Sequence, residues 1–115
     1  MFVSIHCNAA VKKIKKDKEK EVDNPRPRGV EVYFYQDPKE KRAIASKKLA
    51  NYIMTKLETI KGLKSRGVKE KGFTVLVGTY MPAVLVETAF MTNPADERLL
   101  NKETFREKVA EAICE

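Results

Sequence analysis

The chain has 115 residues, 43% of them hydrophobic and 34% charged, with a formal net charge of +7. That length is one domain with enough apolar material for a core, and no stretch approaches the roughly 20 consecutive apolar residues of a membrane span. The first residues also lack the basic-then-apolar pattern of an export signal, so a soluble globular domain without a signal peptide is expected.

In chain order, Phe2-Val3-Ser4-Ile5 reads as a strand that ends on His6, the single histidine. A run this apolar is what a strand covered on both faces requires. Residues 11–28 hold eight basic and four acidic side chains, almost nothing apolar, and close with Asn24-Pro25-Arg26-Pro27. They read as a basic, flexible, solvated loop, with a polyanion-facing role as the minority reading. Gly29-Val30-Glu31-Val32-Tyr33-Phe34-Tyr35 is rich in β-branched and aromatic residues and alternates as a strand would.

Asp37-Pro38-Lys39-Glu40 then offers an N-cap acceptor, a proline for the first helical position and an acidic residue at the third. The spacing of Ala45, Leu49, Ile53, Leu57 and Ile60 predicts one apolar stripe on a helix of about six turns ending near Gly62. Phe73-Thr74-Val75-Leu76-Val77 and Ala83-Val84-Leu85-Val86-Glu87 read as two further strands. Too few residues join them for a parallel crossover, so as neighbours they would be antiparallel. Asn93-Pro94-Ala95-Asp96 starts a short helix through Leu100, and Phe105, Val109 and Ile113 mark a C-terminal amphipathic helix. The expected fold is α/β, a mixed, mostly parallel sheet flanked by helices, in a single domain over residues 1–115.

His6 and Glu87 both stand at strand ends. A ligand crevice lies outside the carboxyl ends of the strands in open α/β sheets, so a lone imidazole and a carboxylate there point to a metal-assisted hydrolase site. Each also has a structural reading: a hydrogen-bonded histidine, and a carboxylate capping a backbone amide. Cys7 beside His6 does not read as a thiol nucleophile, because adjacent strand residues point to opposite faces and nothing orients the pair. Cys7 and Cys114 are too few for a disulfide framework and are expected to be free.

Five ordered blocks carry a family resemblance. Phe2-Val3-Ser4-Ile5-His6-Cys7-Asn8-Ala9, Arg28-Gly29-Val30-Glu31-Val32-Tyr33, Arg66-Gly67-Val68-Lys69 leading into Phe73-Thr74-Val75-Leu76, Met81-Pro82-Ala83-Val84-Leu85-Val86-Glu87-Thr88-Ala89-Phe90 and Asn93-Pro94 together resemble the zinc-dependent N-acetylmuramoyl-L-alanine amidases of bacterial cell walls. The resemblance runs essentially end to end. It implies a hydrolase cleaving the amide between N-acetylmuramic acid and the L-alanine of the peptidoglycan stem peptide. It further implies that His6 is a zinc ligand, that Glu87 is the catalytic carboxylate, and, more weakly, that Asn8 contacts substrate.

Zinc with an open position lowers the pKa of its water to about 7 and polarises a carbonyl, while a free carboxylate moves the proton. In the family the two other protein ligands, a histidine in a Gly-His-Gly turn and a glutamate on the next helix, lie upstream of the block that opens this chain. The domain is therefore expected to be N-terminally truncated and its zinc site incomplete. Cys7 and Glu31 are weak substitutes, Cys7 because it points away from His6 and Glu31 because it sits early in its strand. Peptidoglycan is the expected partner, with no nucleic acid and no membrane span, at the cell envelope or outside the cell. The missing front of the fold would leave a sheet edge open to homodimerisation. Two rival readings stay open: a catalytically inactive or peptidoglycan-binding module, and a basic nucleic-acid binder.

Overall fold

The computed structural model of the chain describes residues 1–14, 17–36, 38 and 40–114. In chain order its elements are β1 (Phe2–Asn8), β2 (Val11–Ile14), β3 (Asp17–Asp23), β4 (Val30–Phe34), α1 (Glu40–Leu57), β5 (Ser65–Glu70), α2 (Thr74–Val77), β6 (Ala83–Phe90), α3 (Pro94–Leu100) and α4 (Glu103–Cys114). Four strands form one sheet in the order β1-β6-β4-β5. β6 runs parallel to β1 and antiparallel to β4, and β4 runs parallel to β5. The sheet is mixed and mostly parallel, as expected, although its antiparallel pair is β4 with β6.

Alternation along these strands sorts the side chains into two faces. Val30, Val32, Phe34, Val84 and Val86 pack against Ile53, Met54 and Leu57 of α1 and Phe105, Val109 and Ala112 of α4, forming the main core. On the other face Leu76 of α2 covers Ala83 and Leu85, with Phe2, Tyr33, Tyr35 and Phe73 around them. α2 is only one turn long and shelters the lower part of this face. The row above it, at His6 and Glu87, is left open.

Three sequence expectations are corrected, and one strand is new. Within the stretch read as a loop, β2 and β3 pair as a two-stranded antiparallel ribbon with Lys13 opposite Glu21 and Lys12 opposite Val22, and only residues 24–28 after it are irregular. The described side chains of this ribbon are mostly exposed, so no hydrophobic period reveals it in the sequence. Phe73 to Val77 is not a strand: Leu76 N–H and Val77 N–H both bond Phe73 O at 2.9 Å, turning the run into α2. A short apolar run is ambiguous between the two periods, and here only Leu76 is buried.

α1 ends at Leu57, and its buried stripe is Ala43, Ser46, Ala50, Ile53, Met54 and Leu57, leaving Ala45 and Leu49 half-buried. Bonds from Thr59 N–H to Lys56 O and Ile60 N–H to Leu57 O tighten the chain into a turn before Gly62 is reached. Asp37, read as the N-cap of α1, lies outside the described residues. Finally, β5 was not foreseen as a strand. Among the described residues no helix is long and apolar enough to cross a membrane.

Asp96, 0% exposed, locks the α3 turn to the sheet. The Asn93 side chain caps α3 by accepting the Ala95 and Asp96 N–H groups at 3.0 and 3.1 Å. Asp96 Oδ2 in turn accepts the Gly29 N–H at 2.6 Å and the Phe90 N–H at 3.0 Å, joining the start of β4 to the end of β6. Gly29 is required beside it, with φ +112° and a Cβ position only 2.3 Å from Lys64 O. Asp96→Ala leaves two buried amides without an acceptor and is expected to lower stability by roughly 2–4 kcal/mol. The check is a fall in the urea midpoint at unchanged m-value, with Asp96→Asn losing less.

Candidate active site

The register of β6 with its two neighbours builds the site. Glu87 faces His6 across the parallel pair and Glu31 across the antiparallel pair. Residues directly opposite on adjacent strands share a face, so one row reads His6, Glu87, Glu31 across three strands. Glu31 therefore shares the row with Glu87 despite its early place in β4. β4 is antiparallel to β6, so the start of one lies beside the end of the other.

Glu31 is 3% exposed and fully engaged. Its Oε1 accepts Arg66 Nε at 3.1 Å and Asn8 Nδ2 at 3.3 Å; its Oε2 accepts Lys69 Nζ at 2.7 Å and the Tyr33 hydroxyl. Burial by itself would raise its pKa. The hydrogen bonds from Lys69 and Tyr33, with the charges of Lys69 and Arg66, outweigh burial and hold the carboxyl below its ordinary value. Tyr33 is pushed up, first by burial, then by its bond to Glu31 and by the charges of Glu31 and Glu87.

Glu87 has the opposite environment. Its Oε2 is buried without a hydrogen-bond partner among the described residues. Burial raises its pKa, the neighbouring Glu31 charge adds to that, and His6 and Lys71 oppose it. His6 is exposed, with Nε2 2.8 Å from Ser4 Oγ. Asn8 accepts the Ala9 N–H at 2.9 Å while reaching Glu31 with its amide. Cys7 lies on the helix side with its Sγ 3.9 Å from Thr88 Oγ1. Both cysteines are free and exposed.

The arrangement sets a partly buried carboxylate with a raised pKa beside an accessible imidazole one strand away and a cationic flank, with α2 sheltering the base of the face. A metal needs a further set of donors. Among the described residues no group of three or more His, Cys, Asp or Glu side chains could hold one. The geometry gives the reason: both Glu31 oxygens are taken by Arg66, Lys69, Tyr33 and Asn8, and Cys7 faces away. The residues described do not by themselves fit a zinc site, and His6 is the one imidazole available to it.

The mixed sheet thus sets a carboxylate, an imidazole and a second, ion-paired carboxylate in one row across three strands. The model of the family described as N-acetylmuramoyl-L-alanine amidase matches residues 1–115, and the chain belongs to that family. It is 39% identical over 116 residues to the N-acetylmuramoyl-L-alanine amidase LytC of Bacillus subtilis, covering 98% of this chain and 20% of that protein. Among solved structures, the amidase AmiC2 of Nostoc punctiforme superposes with TM-score 0.74 at 31% identity, over 97% of this chain and 52% of that one. An amidase of Clostridium difficile gives TM-score 0.75 at 28% identity, over 96% and 52%. The chain thus spans about half of those solved chains and a fifth of the B. subtilis protein.

Sequence reasoning set Glu31 aside and gave no role to Tyr33, Arg66 or Lys69. One signal was available, a glutamate between two valines in an alternating strand, a placement that demands a partner when the strand is central. Its folded pKa lies below the unfolded value of about 4.5, so its stabilisation is present above pH 4.5 and lost as pH falls through the folded pKa. Glu31→Gln is expected to lower stability at pH 7 by about 1–2 kcal/mol, since Arg66 and Lys69 are exposed enough to regain water. The loss should shrink on acidification below pH 4.5, as read from urea midpoints at pH 7 and pH 3.

Proposed function

We propose that this chain is part of a peptidoglycan hydrolase that cleaves the amide between N-acetylmuramic acid and L-alanine, acting at the cell envelope or outside the cell. The observation that carries the reading is Glu87, a carboxylate with a buried, unbonded oxygen and a raised pKa, opposite the single imidazole. Those properties suit a group that takes a proton from attacking water and delivers it to the leaving amine, since proton transfer is most effective with a pKa near the working pH. His6 would be one ligand of the zinc that the resemblance implies. Asn8, at the rim beside Glu31, would contact substrate, and the open row above α2 would receive the stem peptide.

Glu31 serves the reaction indirectly. As a fixed negative charge it favours the protonated form of Glu87, and it holds Arg66 and Lys69 on the same face. The test is to graft residues 1–115 in place of the matching segment of the B. subtilis relative and follow release of L-alanine amino groups from purified peptidoglycan. The graft is expected to hydrolyse, and Glu87→Gln to lose 10²–10⁴-fold in rate with folding unchanged. Near wild-type turnover in that variant would remove Glu87 from the chemistry.

We further propose that the chain self-associates through β1. This edge strand pairs only with β6, carries Ile5 at 56% exposure, and borders an apolar groove formed with Leu100, Phe105 and Val109. Its residues include no lysine or proline to blunt pairing, in contrast to β5 at the other edge, which carries Arg66 and Lys69 and a bulge. Sedimentation of the 115-residue chain is expected to show a concentration-dependent dimer that Ile5→Lys returns to monomer. A compact monomer at every concentration would refute the edge pairing.

A further inference from the structure

The cations on β5 exceed what Glu31 needs. Arg66 and Lys69 share one buried carboxylate, yet their side chains are 32% and 40% exposed, so the pair presents a net positive charge to solvent. Arg66 reaches Glu31 through Nε, which leaves both Nη groups without a bonded partner among the described residues. Its guanidinium lies over the Phe90 ring, 5.1 Å from the ring centre, a cation–π contact that helps hold it in place. The β4 to β5 register shifts between Val30 and Val32, directly beside Glu31, and Gly67 at φ +86° follows Arg66. A bulge of this kind re-aims a side chain. Lys71, whose Nζ sits 4.7 Å from the Phe73 ring centre, adds a third positive charge close enough to act on Glu87.

Resting on the amidase reading above, we propose that Arg66, supported by Lys69, is an anion subsite for a free carboxylate of the stem peptide, namely the α-carboxylate of the second residue, a glutamate linked through its side chain. A planar fork with free N–H groups matches a carboxylate in two-point geometry. The spacing agrees. Arg66 stands two strands from Glu87, roughly 10 Å between backbones, and its side chain reaches back to Glu31 on the strand between them, which shortens the distance from its guanidinium to Glu87. From the scissile nitrogen, one extended residue and the bonds out to the next α-carboxylate span roughly 6–7 Å. The same subsite rejects a stem whose second residue carries an α-amide, because an amide brings no charge to the fork and desolvates it without return.

The experiment titrates the 115-residue chain, followed by NMR, with the tripeptide L-alanyl-γ-D-glutamyl-diamino acid and with its α-amide at the second residue. The acid is expected to bind about tenfold more tightly at low ionic strength. Arg66→Gln should bring the two peptides within about twofold of each other. Arg66→Lys, which keeps a cation against Glu31 and so keeps the fold, should give an intermediate ratio. Equal affinity of the wild-type chain for acid and amide overturns the subsite and leaves the amidase reading intact, since hydrolysis does not require that carboxylate. A preference for the acid that survives both Arg66 variants also overturns it and returns Arg66 to a purely structural role. Binding of neither peptide at millimolar concentration overturns the subsite, while the amidase reading is then decided by hydrolysis in the graft.

Discussion

β6 pairs in opposite senses on its two sides, parallel to β1 and antiparallel to β4, and the composition of the site follows from that. In a sheet of uniform direction Glu31, near the start of its strand, would lie far from the end of β6. Reversal of β4 brings the start of that strand beside Glu87 and places two carboxylates on neighbouring strands of one face. Two like charges at that separation cannot share an apolar site without compensation. The compensation comes from β5, itself parallel to β4, whose bulge delivers Arg66 and whose end delivers Lys69.

The two faces of the sheet carry unequal demands. The helix-covered face is almost wholly aliphatic and aromatic and contributes the larger part of the burial that stabilises the domain. The opposite face is apolar only where α2 covers it, and its upper row holds ionisable groups. Asp96 couples this row to the helices: its carboxylate joins the strand that enters at Gly29 to the strand that leaves at Phe90, so the ends of β4 and β6 that carry Glu31 and Glu87 are tied through one buried acceptor. A shift there would move both carboxylates together.

The dense apolar strands were legible because β6 is buried on both faces and β-branched residues dominate it, and the Asn93-Pro94 cap was legible because its chemistry is local. What escaped was non-local. β5 reads Ser-Arg-Gly-Val-Lys-Glu, too polar to announce a strand, and it becomes one by pairing with β4. The run at Phe73 reads as a strand by composition but folds as a turn of helix in which only Leu76 finds a buried place. The ribbon at residues 11–23 buries so little that its pairing leaves no hydrophobic period to detect. At the site, His6 and Glu87 stand in the C-terminal halves of obvious strands, which run on past them to Asn8 and Phe90, whereas the place of Glu31 depends on strand polarity, which no local pattern encodes.

Glu31 and Glu87 are the same residue type one strand apart, and their environments drive them in opposite directions. Glu31 has its negative charge met by two cations and a phenol, so it stays ionised and its oxygens are unavailable to metal, water or substrate. Glu87 is partly buried, lacks a partner for one oxygen and feels the charge of Glu31, so it holds a proton more readily. Where two titratable groups are separated in this way, the one with the raised pKa is suited to exchange protons and the other to set the field around it. The buried ion cluster thus does more than satisfy a charge in the core. By fixing Glu31 as an anion it conditions Glu87, and by needing only part of the charge on β5 it leaves Arg66 and Lys69 partly exposed on the same face.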